Sequence, residues 1–459
     1  MKFNSQHQEA GFYARLFSLA LPLVIQNLIT TSLGFVDTFM VGMLGQLELS
    51  AVTAANSPIF FMQMIVFGFI SGLAVLTSQY WGKRDIAAIN RCMGIALYIA
   101  VTVSTIAAAI LFLAPHFIMG LVTNHAVLIE LGAPYLQIVG LGYIFNTASS
   151  VYIGMQRSAE NPAMGMIVFG FSMLLNTALN YVLIFGKLGA PAMGITGAAL
   201  ATSISRIVEF IITWSYAAKN QRIPLNIQLL LRPGRKNVKD FFRYAVPVLV
   251  NEGMWGLGIS IMTVIMGHMD DSSHMLAAHA VMGNIDKFST VACFGVAGAS
   301  SILVGTYIGE GRSREEIYRL GWRLLIVSLT LGFGVSVILT ILLPTVFIPF
   351  LYPMFHLQDQ ASHIAVVMCV VYIFMVPAKA FNTTNIVGNF RGGGDAKIAS
   401  VIDLSPLWLV AIPLTALTGL VIGAPVEIVC VCIQAENIIK TPLSILRLRS
   451  RKWINDITK

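Results

Sequence analysis

The sequence predicts an all-α polytopic membrane protein, with about twelve transmembrane helices in two pseudo-symmetric six-helix bundles, and three observations carry that expectation. Apolar residues make up 56% of the 459 residues and charged ones 11%, whereas roughly a quarter of a soluble chain is charged. Apolar runs long enough to cross a ~30 Å hydrocarbon layer recur along the whole chain. The chain also repeats itself: "ALPLVIQNLITTSLGFVDTFMVG" lies over "AVPVLVNEGMWGLGISIMTVIMG" without a gap, pairing Pro22 with Pro247 and Gly42 with Gly267 (247 − 22 and 267 − 42 are both 225).

The runs can be taken in order. The first begins near Ala14 and carries Pro22 and Asp37; polar residues precede it, no small-residue cleavage pattern follows, and it is expected to remain as the first helix. The second, from Ala51, contains "IFFMQMIVFGF" and ends in "SQYWGKRD". A third begins near Cys92, and a fourth near Val127 runs to "QRSAENP". The fifth, from Ala163, holds Asn176 and Asn180, and the sixth, from Gly194, opens with "GAALATSIS". The seventh, near Phe241, repeats the first, and the eighth, near Val281, leads to "GTYIGEGRS", the counterpart of "SQYWGKRD". The ninth begins near Gly321. The tenth, from Ile364, ends in "FRGGGDA", the counterpart of "QRSAENP"; the eleventh and twelfth begin near Ile398 and Pro425.

Six helices per half start both halves on the same side, so the repeats are parallel and related by an axis along the membrane normal. The expected division is an N-terminal lobe over 1–218, a linker over 219–240, a C-terminal lobe over 241–447 and a tail over 448–459. The linker mixes basic residues with an amphipathic stretch suited to lie along headgroups. Lys83, Arg84, Arg157, Arg232, Arg312 and Arg391 fall in one set of connections. The other set holds Lys187 with Glu48, Asp270, Asp271, Asp359 and Glu427. By the positive-inside rule both termini are cytoplasmic, in a multi-pass protein of the inner (plasma) membrane. The same loop distribution accounts for the net charge of +8 without a nucleic-acid partner. The five cysteines sit in apolar runs and lack the spacing of a metal site.

Asp37 is the residue that composition does not explain. A charged side chain inside a membrane helix costs a few kcal/mol or more, and Asp37 lies on a stripe with Asn27, Thr30, Thr31, Gly34 and Thr38 at helical spacing. Packing and back-bonding account for the threonines and glycine, but not for the acid. Asn176 and Asn180 share a face one turn apart, and with Thr202 they would add hard oxygen donors suited to Na⁺ or to hydrogen bonds that accompany a proton. Each asparagine taken singly is equally explained by an interhelical hydrogen bond.

In the second half, Glu252 stands where the first has Asn27 (252 − 27 is 225). Lys379 and Asn382 share a face of the tenth helix, Asp286 lies in the eighth, and Lys379 opposite Glu252 or Asp286 would make an ion pair. These four form a secondary polar site, with a structural salt bridge as the plainer reading. Arg206 with Glu209, and Glu436 with Lys440, have the spacing of local pairs and are read as helix-end charges. Met62 and Met64 around Gln63 suit a pocket for flat apolar ligands, although such residues are more often ordinary packing. There is no Walker loop, H-E-x-x-H or nucleophile elbow, so no enzyme is expected and transport would draw on an ion gradient.

The first-helix segment, "LNTALNYVLIFGKLGAPAMGITGAALATSIS", and the paired "QRSAENP" and "FRGGGDA" resemble the multidrug and toxic compound extrusion (MATE) transporters, closest to their NorM-like branch, over nearly the whole chain. The resemblance implies a two-lobed antiporter that exports small cationic or aromatic compounds in exchange for H⁺ or Na⁺ by alternating access. It needs no cofactor beyond the coupling ion, and a monomer is expected. It matches Asp37 to the family's first-helix acid, Asn176, Asn180 and Thr202 to polar residues of the N-terminal lobe, and Glu252 to the seventh-helix acid. Where some NorM-like members carry a tenth-helix acid, this chain has Ala380 beside Lys379. The expectation is therefore coupling at Asp37, with Na⁺ there the one metal the pattern admits. A flippase for lipid-linked oligosaccharide is the alternative, and would be expected to line its cavity with more cations.

Overall fold

The computed structural model describes residues 2–269, 272–355, 357 and 359–458, with side chains from residue 11 onward except Lys236. Asp270 and Asp271 lie outside the described residues. Among those described, twelve helices are long and apolar enough to cross a membrane. They are α1 (Gly11–Gly42), α2 (Gln46–Gly82), α3 (Ile86–Leu113), α4 (Ala126–Ser158), α5 (Pro162–Phe185), α6 (Gly194–Lys219), α7 (Asn237–Gly267), α8 (Ser272–Gly309), α9 (Arg314–Met354), α10 (Asp359–Phe390), α11 (Ala396–Ile422) and α12 (Val426–Arg449). No strand occurs among the described residues. The protein is an all-α, multi-pass membrane protein.

Helix ends follow local chemistry. The Asp85 carboxylate accepts from the Ala88 N–H at 2.9 Å and caps α3. Ser313 and Glu316 form a reciprocal capping box on α9. Gly186 and Gly423 close α5 and α11 with φ of 66° and 63°, the left-handed conformation that glycine adopts without a Cβ penalty. Wider π-helical turns interrupt α9 to α11 at Leu343–Leu351, Thr384–Phe390, Leu407–Ala411 and Leu417–Ile422. Pro349 lies inside the first of these, and Pro406 and Pro413 flank the third, where a missing N–H forces carbonyls to find other partners.

The chain forms two compact units, Ile25–Leu249, and Met1–Val24 together with Val250–Lys459. Packing therefore does not divide at the linker, as the expected 1–218 and 241–447 lobes would have it. It divides inside α1 and α7, at positions that are again one repeat apart (249 − 24 is 225). The physical reason lies in the helix starts. Phe12, Leu16, Leu19 and Leu23 join Val296, Leu303, Leu320 and Phe381 in one core. In the other unit, glycines of α2 admit the start of α7: a Cβ on Gly72 would lie 2.5 Å from the Ala245 Cα, and one on Gly68 would lie 2.8 Å from the Leu249 Cα. A second core of the same unit gathers Met40, Val41, Ile59, Met62, Leu136 and Ala199.

Linker and tail are both tied down. Asn90 of α3 donates to the Pro224 carbonyl at 3.2 Å and accepts from the Asn226 N–H at 3.1 Å, and Ile223 is buried. The expected tail is likewise packed: Trp453, Ile454 and Ile457 are buried. The Asn455 N–H donates to the Gly393 carbonyl at 2.8 Å. The glycines of "FRGGGDA" make room for it, since a Cβ on Gly393 would lie 2.5 Å from the Trp453 carbonyl oxygen. Here too the repeat holds. Gly-Ala-Pro occurs at 189–191 and at 423–425, and the same offset pairs Ile223 with Ile457 (423 − 189 and 457 − 223 are both 234).

Candidate functional site

The stripe of α1 splits as its chemistry suggests. Thr30 and Thr38 return their hydroxyl protons to the carbonyls of Gln26 and Gly34, one turn back, each at 2.8 Å. Asp37 instead reaches α5, where the Asn180 amide donates to its Oδ1 at 2.6 Å. The same amide group donates to Asn176 Oδ1 at 3.0 Å, and Asn176 donates to the Thr202 hydroxyl of α6 at 3.4 Å. Three helices thus bring Asp37, Asn180, Asn176 and Thr202 into one relay. The buried Asn180 Oδ1 has no hydrogen-bond partner among the described residues. A carboxylate, amide oxygens and a hydroxyl are the hard oxygen donors that Na⁺ takes, and the carboxylate can instead carry a proton.

A second polar group stands deeper in the same unit. Arg206 and Glu209 lie near the middle of α6, so they are not the helix-end charges that their spacing suggested. Glu209 is wholly buried; it accepts from Asn146 at 3.0 Å, Ser172 at 3.2 Å and Arg206 Nη1 at 2.7 Å. Asn146 and Ser172 come from α4 and α5, which sequence spacing on α6 alone could not reveal. Beside them is a cavity of about 290 Å³ lined by Met62, Gln63, Met64, Phe67, Tyr143 and Arg206, among others. The methionines around Gln63 do line a pocket. Phe60 and Phe61 point elsewhere, Phe61 being 68% exposed.

In the second half the four residues of the secondary polar site do not meet as one cluster. Glu252 accepts from Arg391 Nη1 at 2.8 Å. Asp286 pairs with Lys379 at 2.5 Å, and the Lys379 ammonium lies 5.4 Å from the centre of the Tyr372 ring. Asn382 donates to the Asn437 carbonyl at 2.9 Å and to the Thr441 hydroxyl at 3.2 Å. Of the two ion pairs open to Lys379, the structure forms the one with Asp286.

Glu436 and Lys440 also lie within the span of α12, not at its end, and their pair has a third member. Lys440 Nζ sits 2.8 Å from both Asp403 and Glu436, and Asn251 donates to Asp403 at 3.0 Å. Asp403 was missed, although "IASVIDLSPLWLV" is an acid inside an apolar run by the same criterion that selects Asp37. Arg391 was read only as a loop cation. The repeat carried a further signal: at the offset of the Gly-Ala-Pro motif, Arg206 pairs with Lys440 (440 − 206 is 234), so each half carries one largely covered cation in its sixth helix.

The MatE family model matches residues 22–182 and 253–417, one segment in each half; the first includes Asp37, Asn176 and Asn180, and the second Asp286 and Lys379. The chain belongs to the MatE family. Among curated relatives, the uncharacterized transporter YisQ of Bacillus subtilis is 24% identical over 446 residues, covering 96% of this chain and 94% of its own. The probable multidrug resistance protein NorM of Thermotoga maritima is 25% identical over 453 residues, covering 95% and 92%. A crystal structure of MATE in the bent conformation shares the fold, with a TM-score of 0.84 at 17% identity over 96% of this chain and 95% of that one. MatE-family proteins are transporters, not enzymes, and this chain is a transporter of that family.

Proposed function

We propose that this protein is a secondary antiporter in which H⁺ or Na⁺ at Asp37 is exchanged for a small aromatic or cationic molecule by alternating exposure of the site to the two sides of the membrane. The observation that carries this reading is the Asp37 carboxylate, placed inside a membrane span and met there by the Asn180 amide at 2.6 Å. An ion on Asp37 and a substrate in the same unit need to disfavour one another by only ~1 to 3 kcal/mol for one gradient to bias the other. The names of the T. maritima NorM and the Pseudomonas aeruginosa multidrug resistance protein PmpM support drug export over a lipid-linked oligosaccharide. The basic connections support cytoplasmic termini.

The decisive variant is Asp37→Asn, which keeps a polar side chain for Asn180 and removes the charge. Gradient-driven efflux of a fluorescent cation from proteoliposomes is expected to stop, with the purified variant eluting as wild type. Undiminished efflux would sink the assignment. Running wild type with H⁺ and Na⁺ gradients in turn identifies the ion.

A further inference from the structure

Each half sets two arginines over one aromatic ring at the end of its second helix, and the halves treat them differently. In the second half Arg15 and Arg312 lie 5.3 and 4.1 Å from the centre of the Tyr307 ring. Glu310 pairs with both, at 3.5 Å from Arg15 Nη2 and 2.7 Å from Arg312 Nε. In the first half Arg84 and Arg222 lie 4.7 and 4.6 Å from the centre of the Trp81 ring. Laying "SQYWGKRD" over "GTYIGEGRS" pairs Tyr80 with Tyr307 and Lys83 with Glu310 (307 − 80 and 310 − 83 are both 227). Arg84 accordingly holds the left-handed turn position of Gly311, with φ of 61° and 73°. A cation thus stands where the second half has its neutralising acid.

Arg84 and Arg222 are exposed, and neither lies within ion-pair distance of a carboxylate among the described residues. The adjacent Asp85 is occupied in capping α3. Stacking on a ring uses the face of a guanidinium and leaves its in-plane N–H donors open, in the fork that matches phosphate oxygens. Trp81 ends the α2 span and Arg222 follows α6 by three residues, so both arginines stand at the level where headgroups lie. Further along the same linker, Ile227 and Leu231 are one turn apart and 67% and 60% exposed, and the exposed Arg232 and Arg235 follow them. Their short helix is seated on α3, where a Cβ on Gly94 would collide with the Leu230 carbonyl oxygen. A soluble anion would use only the arginines. A phospholipid uses the outward apolar side chains as well.

We propose that Arg84 and Arg222 hold the phosphate of an anionic phospholipid, with Ile227 and Leu231 of the linker resting in the bilayer beside it. The second half has no such site, because Glu310 already satisfies its two arginines. The inference does not depend on what the protein exports or on the ion at Asp37.

The test changes the headgroup charge and keeps the chains. Purified protein in a neutral detergent is equilibrated with dioleoyl phosphatidylglycerol or dioleoyl phosphatidylcholine, and retained lipids are counted by native mass spectrometry. Wild type is expected to retain phosphatidylglycerol at least about tenfold more strongly, since a basic residue near the membrane surface is worth about fivefold. Arg84→Gln combined with Arg222→Gln should abolish that preference and leave phosphatidylcholine retention, a check on folding, unchanged. Arg312→Gln removes an arginine that is already paired and should leave the preference as in wild type. Equal retention of the two lipids by wild type, a preference that survives the double substitution, or one lost equally in Arg312→Gln would overturn the proposal. So would displacement of the lipid by equimolar glycerol phosphate, which would make the ligand a soluble phosphate.

Discussion

Asp37 in the first half and Met262 in the second hold the same repeat position (262 − 37 is 225). Asp37 is met by an amide from α5, while Met262 is buried in a core with Met266, Met282 and Leu407. The contrast extends to the other acids of the second half: Glu252 is held by Arg391, Asp286 by Lys379, and Asp403 and Glu436 share Lys440. In the first half Glu209 is likewise held by Arg206. Among the described residues, Asp37 alone of these acids has a neutral hydrogen-bond partner and no cation within ion-pair distance. An acid paired with a fixed cation has its counter-charge already, whereas one paired with an amide must take its neutralising charge from a mobile ion. The two halves share a frame, and the asymmetry placed on it is what a coupling site needs.

The sharpest way to break this comparison uses two arginines that the repeat makes equivalent, Arg157 and Arg391 (391 − 157 is 234). Arg391 faces Glu252, and the first half has Asn27 in place of that acid. Among the described residues Arg157 has no carboxylate partner. Arg391→Gln strands a largely buried glutamate and should cost about 3 to 5 kcal/mol. Arg157→Gln removes a charge but strands none and should cost about 1 kcal/mol or less. Thermal melting of the two purified variants decides it, and equal losses would mean that the ion pair is not what separates the halves.

The frame was legible in the sequence because it is written in one-dimensional signals. Run length counts helices, and the paired motifs reveal the duplication. Asp37, Asn176, Asn180 and Thr202 were also readable, since helical spacing places Asn176 and Asn180 on one face and an acid in hydrocarbon demands a partner. What spacing could not show was partnership between distant helices. Glu209 looked local because Arg206 is three residues away, yet two of its three donors come from α4 and α5. Glu252 found Arg391 instead of Lys379, a choice set by how α7 meets the end of α10. The boundary inside α1 was equally hidden, since both ends of that helix are apolar and only packing tells which unit each joins.

Linker and tail offer a smaller contrast that the repeat predicts to vanish. Ile223 and Ile457 are equivalent, and both are buried, so Ile223→Ala and Ile457→Ala should each cost about 2 to 4 kcal/mol. A tail that merely trailed from α12 would make the second substitution silent, and comparing the melting points of the two variants tests this.

The finest contrast lies in the turns before α5 and α11, where Glu160 and Gly394 are equivalent (394 − 160 is 234). Both are left-handed, with φ of 59° and 78°. The first half therefore tolerates a side chain in this conformation, and strain alone does not demand glycine at 394. The tail does: a Cβ there would lie 2.6 Å from the Ile457 Cγ2 and 3.0 Å from the Asn455 carbonyl oxygen. Gly394→Ala should cost about 1 to 2 kcal/mol, part of it backbone strain and part the collision. Ile457→Ala removes the Cγ2, so the collision part should disappear in that background and the two losses should fall short of additive by roughly 0.5 kcal/mol or more. Strict additivity in the melting data would assign the whole cost to the backbone and leave the glycines of "FRGGGDA" without their role in seating the tail.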